Sequence, residues 1–247
     1  MASNRLPDNN DKLYALADDM IDGLKKNGGD VGVKQFTADV LTPKLAAARG
    51  GESIYSAAQK AEGDATNARN VANSNAKGFI ADGRNILGKA FGNKPSQDWE
   101  GIGYSAGSIA VPDSIEGRLA VLTGMRDFLT KNPGKEVKSD DIAFTAAKAE
   151  ALRKTLSEAR GTVNTAVAER VKAKGARDSA VGDLRMAMSG LVYELGHIPL
   201  GDDSPKWHYF GLVPPAGSDA PGVPDGAALH QVGPACGCHS PIHDVAR

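Results

Sequence analysis

The chain has 247 residues, 29 basic and 30 acidic, for a formal net charge of −1, and aromatics make up only 5% of it. That length accommodates one large or two ordinary domains. The even charge argues against a dedicated nucleic-acid binder, which carries a basic surplus or stripe, and offers no polybasic membrane anchor. No segment approaches the roughly 18 apolar residues of a membrane span. The start, MASNRLPDNNDKLYALADDM, lacks an apolar stretch of signal-peptide length behind a basic start, so the default location is cytoplasmic. Few aromatics with plentiful Ala, Lys, Arg, Asp and Glu point to long helices with narrow, small-residue seams.

The first predicted helix runs from Asn10 to Lys26, where Leu13, Leu16, Met20 and Leu24 recur at helical spacing and Asn27-Gly28-Gly29 supplies a stop. A second helical region covers about Thr37 to Gly92, with Thr42-Pro43 as its N-cap and first position or as a bend. Gly50-Gly51 and Gly78 are weak points inside it. Asn93 to Pro112 reads as an irregular connection. From Ser114 the pattern restarts with Leu119, Leu122, Met125 and Leu129, and Asn132-Pro133-Gly134 ends it. A proline-free helical region then extends from about Ser139 to Ile198.

This order suggests an internal duplication at an offset near 105–108 positions. Trp99 and Trp207 are 108 positions apart, as are Gly103 and Gly211 and the pairs Ala68-Arg69 and Ala176-Arg177. The expected organisation is repeat 1 at 10–112, repeat 2 at 113–213, and a Pro/Gly-rich linker and tail at 214–247. Each tryptophan follows a long helix, which suits a plug whose ring covers the last core layer.

In the last helical region Ala149, Leu152, Leu156, Ala159, Val163, Ala166, Arg170, Ala173, Arg177, Ala180 and Leu184 alternate three and four apart, a heptad seam. Met188, Leu191, Leu195 and Ile198 continue it after one extra residue. Taken literally this is one helix of about 60 residues, roughly 90 Å long; a hairpin near Gly161 or Gly175 is the competing reading. Helices of that length need partners along their whole extent. The predicted fold is therefore all-α, a pseudo-duplicated bundle of two short and two very long helices, with the excess length pairing in a homodimer.

Candidate chemistry is sparse. Arg170 and Arg177 share one stripe, either as a polar layer meeting acids across an interface or, if the register is off by one, as exposed neighbours of inward Val167 and Val171. Glu194 and His197 have the E-x-x-H spacing of di-metal bundles, but no second such motif accompanies them. His197 is better read as a residue near a helix C-terminus. Asp18, Asp19 and Asp22 could suggest a cation site, or simply acids favoured by a helix dipole. In the tail, Cys236, Cys238, His239 and His243 are four soft or borderline ligands within eight residues, a set suited to zinc or copper. Their spacing is not that of a common zinc module, and the Gly- and Pro-rich flanks suggest a disordered end. No phosphate loop, nucleophile elbow or acid–base pair is present.

The stretches ADDMIDGLKKNGGDVGVKQ, ARDSAVGDLRMAMSGLVYELG and DDSPKWHYFGLVPPAGSDAPGVPDG resemble an uncharacterised bacterial family. In that family a duplicated helical region ends in a D-x-R-W-x-x-F-G-like motif and a Pro-rich linker, often followed by a fibronectin type III-like domain. The matching positions are Asp203, Lys206, Trp207, Phe210, Gly211 and Pro214, with Lys206 where Arg is common. The resemblance implies no catalytic residues. Residues 227–247 do not match the pattern, as a truncated or frame-shifted version of a longer ancestor would not. The expected function is a non-enzymatic structural or interaction module that self-associates through its long helices; the alternative is a metal-binding protein acting through the tail.

Overall fold

The computed structural model describes residues 5–138, 143–197 and 204–213. The fold is all-α, as the patterning predicts, and among these residues strand structure is confined to one two-residue antiparallel pair. Helix α1 spans Asn10–Val31, and the Asn9 side chain caps it by accepting from the Lys12 N–H at 3.1 Å. It does not stop at Asn27-Gly28-Gly29. The chain stays helical until Gly32, whose left-handed φ of 85° lets its N–H reach the Gly28 and Gly29 carbonyls. Two interior glycines cost about 1 kcal/mol each in propensity. The extra turn offsets this by carrying Val31 into the core, and Gly32 supplies the cap the sequence reading assigned too early.

Helix α2 is a single element, Ala38–Phe91, capped at Thr37. Its bounds agree with the expected region of about Thr37 to Gly92, and Thr42-Pro43 is not its N-cap and first position. Pro43 sits inside the helix, but both it and Asp39, whose carbonyl loses its donor, are exposed, so water can satisfy that oxygen. Starting earlier places Leu41 and Leu45 on the buried side. Gly50, Gly51 and Gly78 do not interrupt it. A one-turn helix α3, Gln97–Glu100, lies within the stretch expected to be irregular.

Helix α4, Ile115–Lys131, is capped by Ser114, whose Oγ accepts from the Gly117 N–H at 3.0 Å. It ends at Asn132-Pro133-Gly134, as predicted. Strands β1 (Val137–Lys138) and β2 (Ala143–Phe144) pair antiparallel before α5 begins. Helix α5, Ala146–His197, starts later than the expected Ser139. Local capping explains the shift: Thr145 Oγ1 accepts from the Lys148 N–H at 3.1 Å and Glu136 from the Ala146 N–H at 2.9 Å. No hairpin breaks α5 at Gly161 or Gly175. A 3-10 turn, Pro205–Phe210, follows.

The two long helices are partners of each other. Arg177 packs at Gly51, Arg170 pairs with Glu62, and Phe144, just ahead of α5, packs at Gly83. Position falls on α5 as it rises on α2, so the pair is antiparallel, and 54 residues of helix make it roughly 80 Å long. The partner that the excess helical length demanded is supplied within the chain.

Hydrophobic burial concentrates in two separate clusters. One joins α1, the start of α2, the end of α5 and Trp207, Phe210 and Leu212. The other joins the end of α2, Trp99, Ile102 and Tyr104, α4, Phe144 and the start of α5. Between them the molecule is two helices thick. Each cluster takes residues from both 10–112 and 113–213, so neither half closes a core by itself.

Candidate functional site

The most developed feature is the α2–α5 seam. On α5 every position from Ala149 to Leu184 in the three–four pattern is buried or half-buried, and Met188, Leu191 and Leu195 are buried beyond the extra residue. Ile198 lies outside the described residues. On α2 the facing row includes Leu45, Ala48, Glu52, Tyr55, Glu62, Ala65, Arg69, Ala72 and Ala76. At mid-length the seam alternates small residues, Gly51, Ala65, Ala166 and Ala173 among them, with charged ones, Glu52, Glu62, Arg170 and Arg177. A Cβ on Gly51 would lie 3.0 Å from the Arg177 Cα, so the backbones approach closely there.

Both arginines lie on this seam, and Val171 is exposed while Val167 is half-buried. The register is therefore the one that makes a polar layer. Arg170 Nε is 2.6 Å from a Glu62 carboxylate oxygen. The Arg177 guanidinium lies over the Tyr55 ring, 4.2 Å from its centroid, and pairs with Asp178 at 2.7 Å and with Glu52 at 3.7 Å. Arg177 is only 17% exposed, so cation–π and ionic contacts act with reduced solvent screening. Arg69, its expected counterpart, donates to neighbouring Asn70 at 3.2 Å.

The ends share a construction. A Cβ on Gly23 of α1 would lie 2.1 Å from the Tyr209 carbonyl oxygen; one on Gly124 of α4 would lie 2.1 Å from the Ile102 carbonyl oxygen. Each short helix thus accepts, at a glycine, the backbone of the tryptophan turn from the other half of the chain. Trp99 and Trp207 are both almost completely buried. Trp99 Nε1–H donates to the Gly92 carbonyl at 3.1 Å, and its ring meets Phe91 and Tyr104 edge-on. Gly103 (φ 92°) and Gly211 (φ 68°) are both left-handed at the turns. Burial pushes the Tyr104 hydroxyl up to about 12, and it donates to the Ile80 carbonyl at 3.4 Å.

Phenylalanine sockets also repeat. Phe36, before α2, fills the space over Gly190 of α5; Phe144, before α5, fills the space over Gly83 of α2. Sequence reading did not pick out these four residues, or Gly23 and Gly124. The signal was available: Phe36 and Phe144 are 108 positions apart, the offset of the tryptophans.

Glu194 and His197 do not combine. The Glu194 carboxylate accepts the backbone N–H groups of Lys34 at 2.6 Å, Gln35 at 3.0 Å and Phe36 at 3.0 Å. Burial opposes its charge, but these three donors together hold it below the usual carboxylate range. His197 stacks on Tyr193 with ring centroids 4.0 Å apart. Asp18 grips Arg49 of α2 through two oxygens, at 2.5 and 3.3 Å. Asp19 and Asp22 are exposed on mid-helix positions rather than in a first turn. Among the described residues no group of three His, Cys, Asp or Glu side chains is placed to hold a metal. Cys236, Cys238, His239 and His243 lie outside them.

Two open hollows flank the helix pair. One, about 470 Å³, is lined by Ser74, Lys77, Gly78, Ala81, Val111 and Asp113. The other, about 280 Å³, is lined by Val40, Pro43, Lys44, Ala47, Ala180 and Asp183. No helix among the described residues is long and apolar enough to cross a membrane. No family model, curated protein or solved structure matches the chain.

Proposed function

We propose that this chain is a non-enzymatic structural module, a stiff spacer that holds two end surfaces roughly 80 Å apart. The observation behind this reading is the uninterrupted α2–α5 pairing closed by a core at each end. A lone pair of helices with a seam of small and charged residues would fray, because such side chains bury little apolar area. Here the two end cores clamp both helices, and the Arg170–Glu62 and Arg177–Tyr55–Glu52 layers fix register between them. A register slip would leave those guanidinium groups without their acids, which is the use of polar layers best supported physically. The recurrence of glycine contact, phenylalanine socket and tryptophan turn at both ends favours descent from a duplicated half-unit.

Small-angle scattering from the folded chain tests the spacer reading. A compact globule of this length has a radius of gyration of about 18 Å. A rod of roughly 80 Å requires at least about 23 Å from its length alone. A monomer at the smaller value overturns the proposal.

A further inference from the structure

The two halves are interlocked rather than side by side. Half 1 contributes α1, α2 and the Trp99 turn; half 2 contributes α4, α5 and the Trp207 turn. The Trp207 turn seats on α1 at Gly23, and the turn after Trp99 seats on α4 at Gly124. Glu194 of half 2 binds the Lys34–Phe36 backbone of half 1. The long helices run against each other from end to end. The largest protein-binding surface in this molecule is therefore the one that each half presents to the other.

The covalent link between these surfaces is short and mostly exposed. Tyr104 is buried at one side of it. At the other, the Pro112 carbonyl accepts the Arg118 guanidinium at 2.5 Å and Ser114 caps α4. Between these anchors Ser105, Ala106, Gly107, Ser108 and Ala110 are exposed, Ile109 and Val111 are half-buried against the end core, and Gly107 adopts a left-handed φ of 79° with open space around it. Six residues, 105–110, can extend to about 20 Å. All contacts between halves outside this link are indifferent to which copy of the chain supplies each half.

We infer that a second copy of this chain is a partner the fold is built to accept, and that two copies join by exchanging halves across residues 105–110. Half 1 of one copy pairs with half 2 of the other, reproducing both cores, both arginine layers and the Glu194 contact twice. Only the link changes conformation, so closed monomer and exchanged dimer differ by the strain in the link and by concentration. The inference deepens the self-association expected from the sequence and rests on the spacer reading only through the pairing of α2 with α5.

The test varies link length in the full chain. Deleting Ala106–Ser108 halves the link and disfavours closure within one copy, and inserting six Gly/Ser residues after Gly107 adds slack. The deletion variant is expected to have the mass of two chains by light scattering, with unchanged helical content, and the insertion variant the mass of one. A folded, monomeric deletion variant overturns the inference, as does a dimer fraction equal in both variants. A second experiment covers a deletion that does not fold. A specific protease site replaces the inserted linker, and two differently tagged preparations are cut in the folded state, mixed in urea and refolded. Halves from different preparations are expected to co-purify as a helical one-to-one complex; halves that never pair across copies overturn it. Scattering from the uncut monomer decides the spacer reading separately, since a rod that refuses exchange leaves that reading intact.

Discussion

Gly124→Ala tests how the ends are built, with Gly161→Ala as its internal control. In an exposed helix interior, alanine in place of glycine gains about 0.5–1 kcal/mol. Gly161 is on the outer face of α5 with nothing within 4 Å of an added Cβ, so it shows that gain undiluted. At Gly124 the same methyl would stand 2.1 Å from the Ile102 carbonyl oxygen, 2.3 Å from its carbon and 2.8 Å from its Cα. These are backbone atoms and cannot swing aside. The turn must lift from α4, and Trp99, Ile102 and Tyr104, all buried, move with it. Overpacking of this kind costs about 1–3 kcal/mol, against the same propensity gain. Urea denaturation followed at 222 nm should place the two variants on opposite sides of wild type, separated by about 1–3 kcal/mol. In a heat melt, each kcal/mol moves the midpoint by roughly 2–4 °C for a protein of this size. Gly124→Ala at or above wild-type stability would refute the seating of the tryptophan turn on α4.

Gly23→Ala should behave as Gly124→Ala does, since its Cβ meets the Tyr209 carbonyl oxygen; a stabilised variant in the same melt would contradict the matching geometry at that end. Trp99→Ala and Trp207→Ala should each cost about 3–5 kcal/mol, and the double variant should equal their sum because the two cores share no residues. Glu194→Gln removes the charge that three backbone donors face and should cost about 1 kcal/mol after solvent screening, read from the urea midpoint. Acid should also find the carboxylates. Arg153 and Arg126 hold Glu150 down to about 2, and Glu194 is lowered by its backbone donors. A depressed folded value means stability present above the ordinary value near 4.5 and lost as pH falls through the folded one. Stability should therefore drop between pH about 4.5 and about 2, and an acid titration that leaves it flat in that window would contradict these pairings.

Much of the fold was legible because burial on a long helix has a period. The row from Ala149 to Leu184 and the one-residue shift before Met188 could be read from spacing, and both match the buried positions. The ends of elements were less legible. Gly28 and Gly29 looked like a stop because local propensity says so, yet burial of Val31 and a cap at Gly32 outweigh it. Pro43, one candidate for the first position of α2, lies inside a helix that begins near the expected Thr37. Glu194 was read by its neighbour His197, whereas its partners are backbone N–H groups about 160 positions away. Backbone donors carry no side-chain pattern, so no spacing rule could have found them. Arg170 and Arg177 show the reverse: their stripe was visible, but only facing Glu62, Tyr55 and Glu52 decide that they turn inward.

The central claim is that α2 is one unbroken helix, held so by α5 along its length. A distance measurement along α2 tests it most directly. Ala47 and Lys89 are both exposed, so cysteines there can carry a donor and acceptor dye, with Cys236 and Cys238 replaced by serine. The intervening helix predicts a separation of about 63 Å. A transfer efficiency corresponding to less than about 45 Å would mean that the helix folds back at Gly50-Gly51, Gly63 or Gly78, and the spacer would not exist.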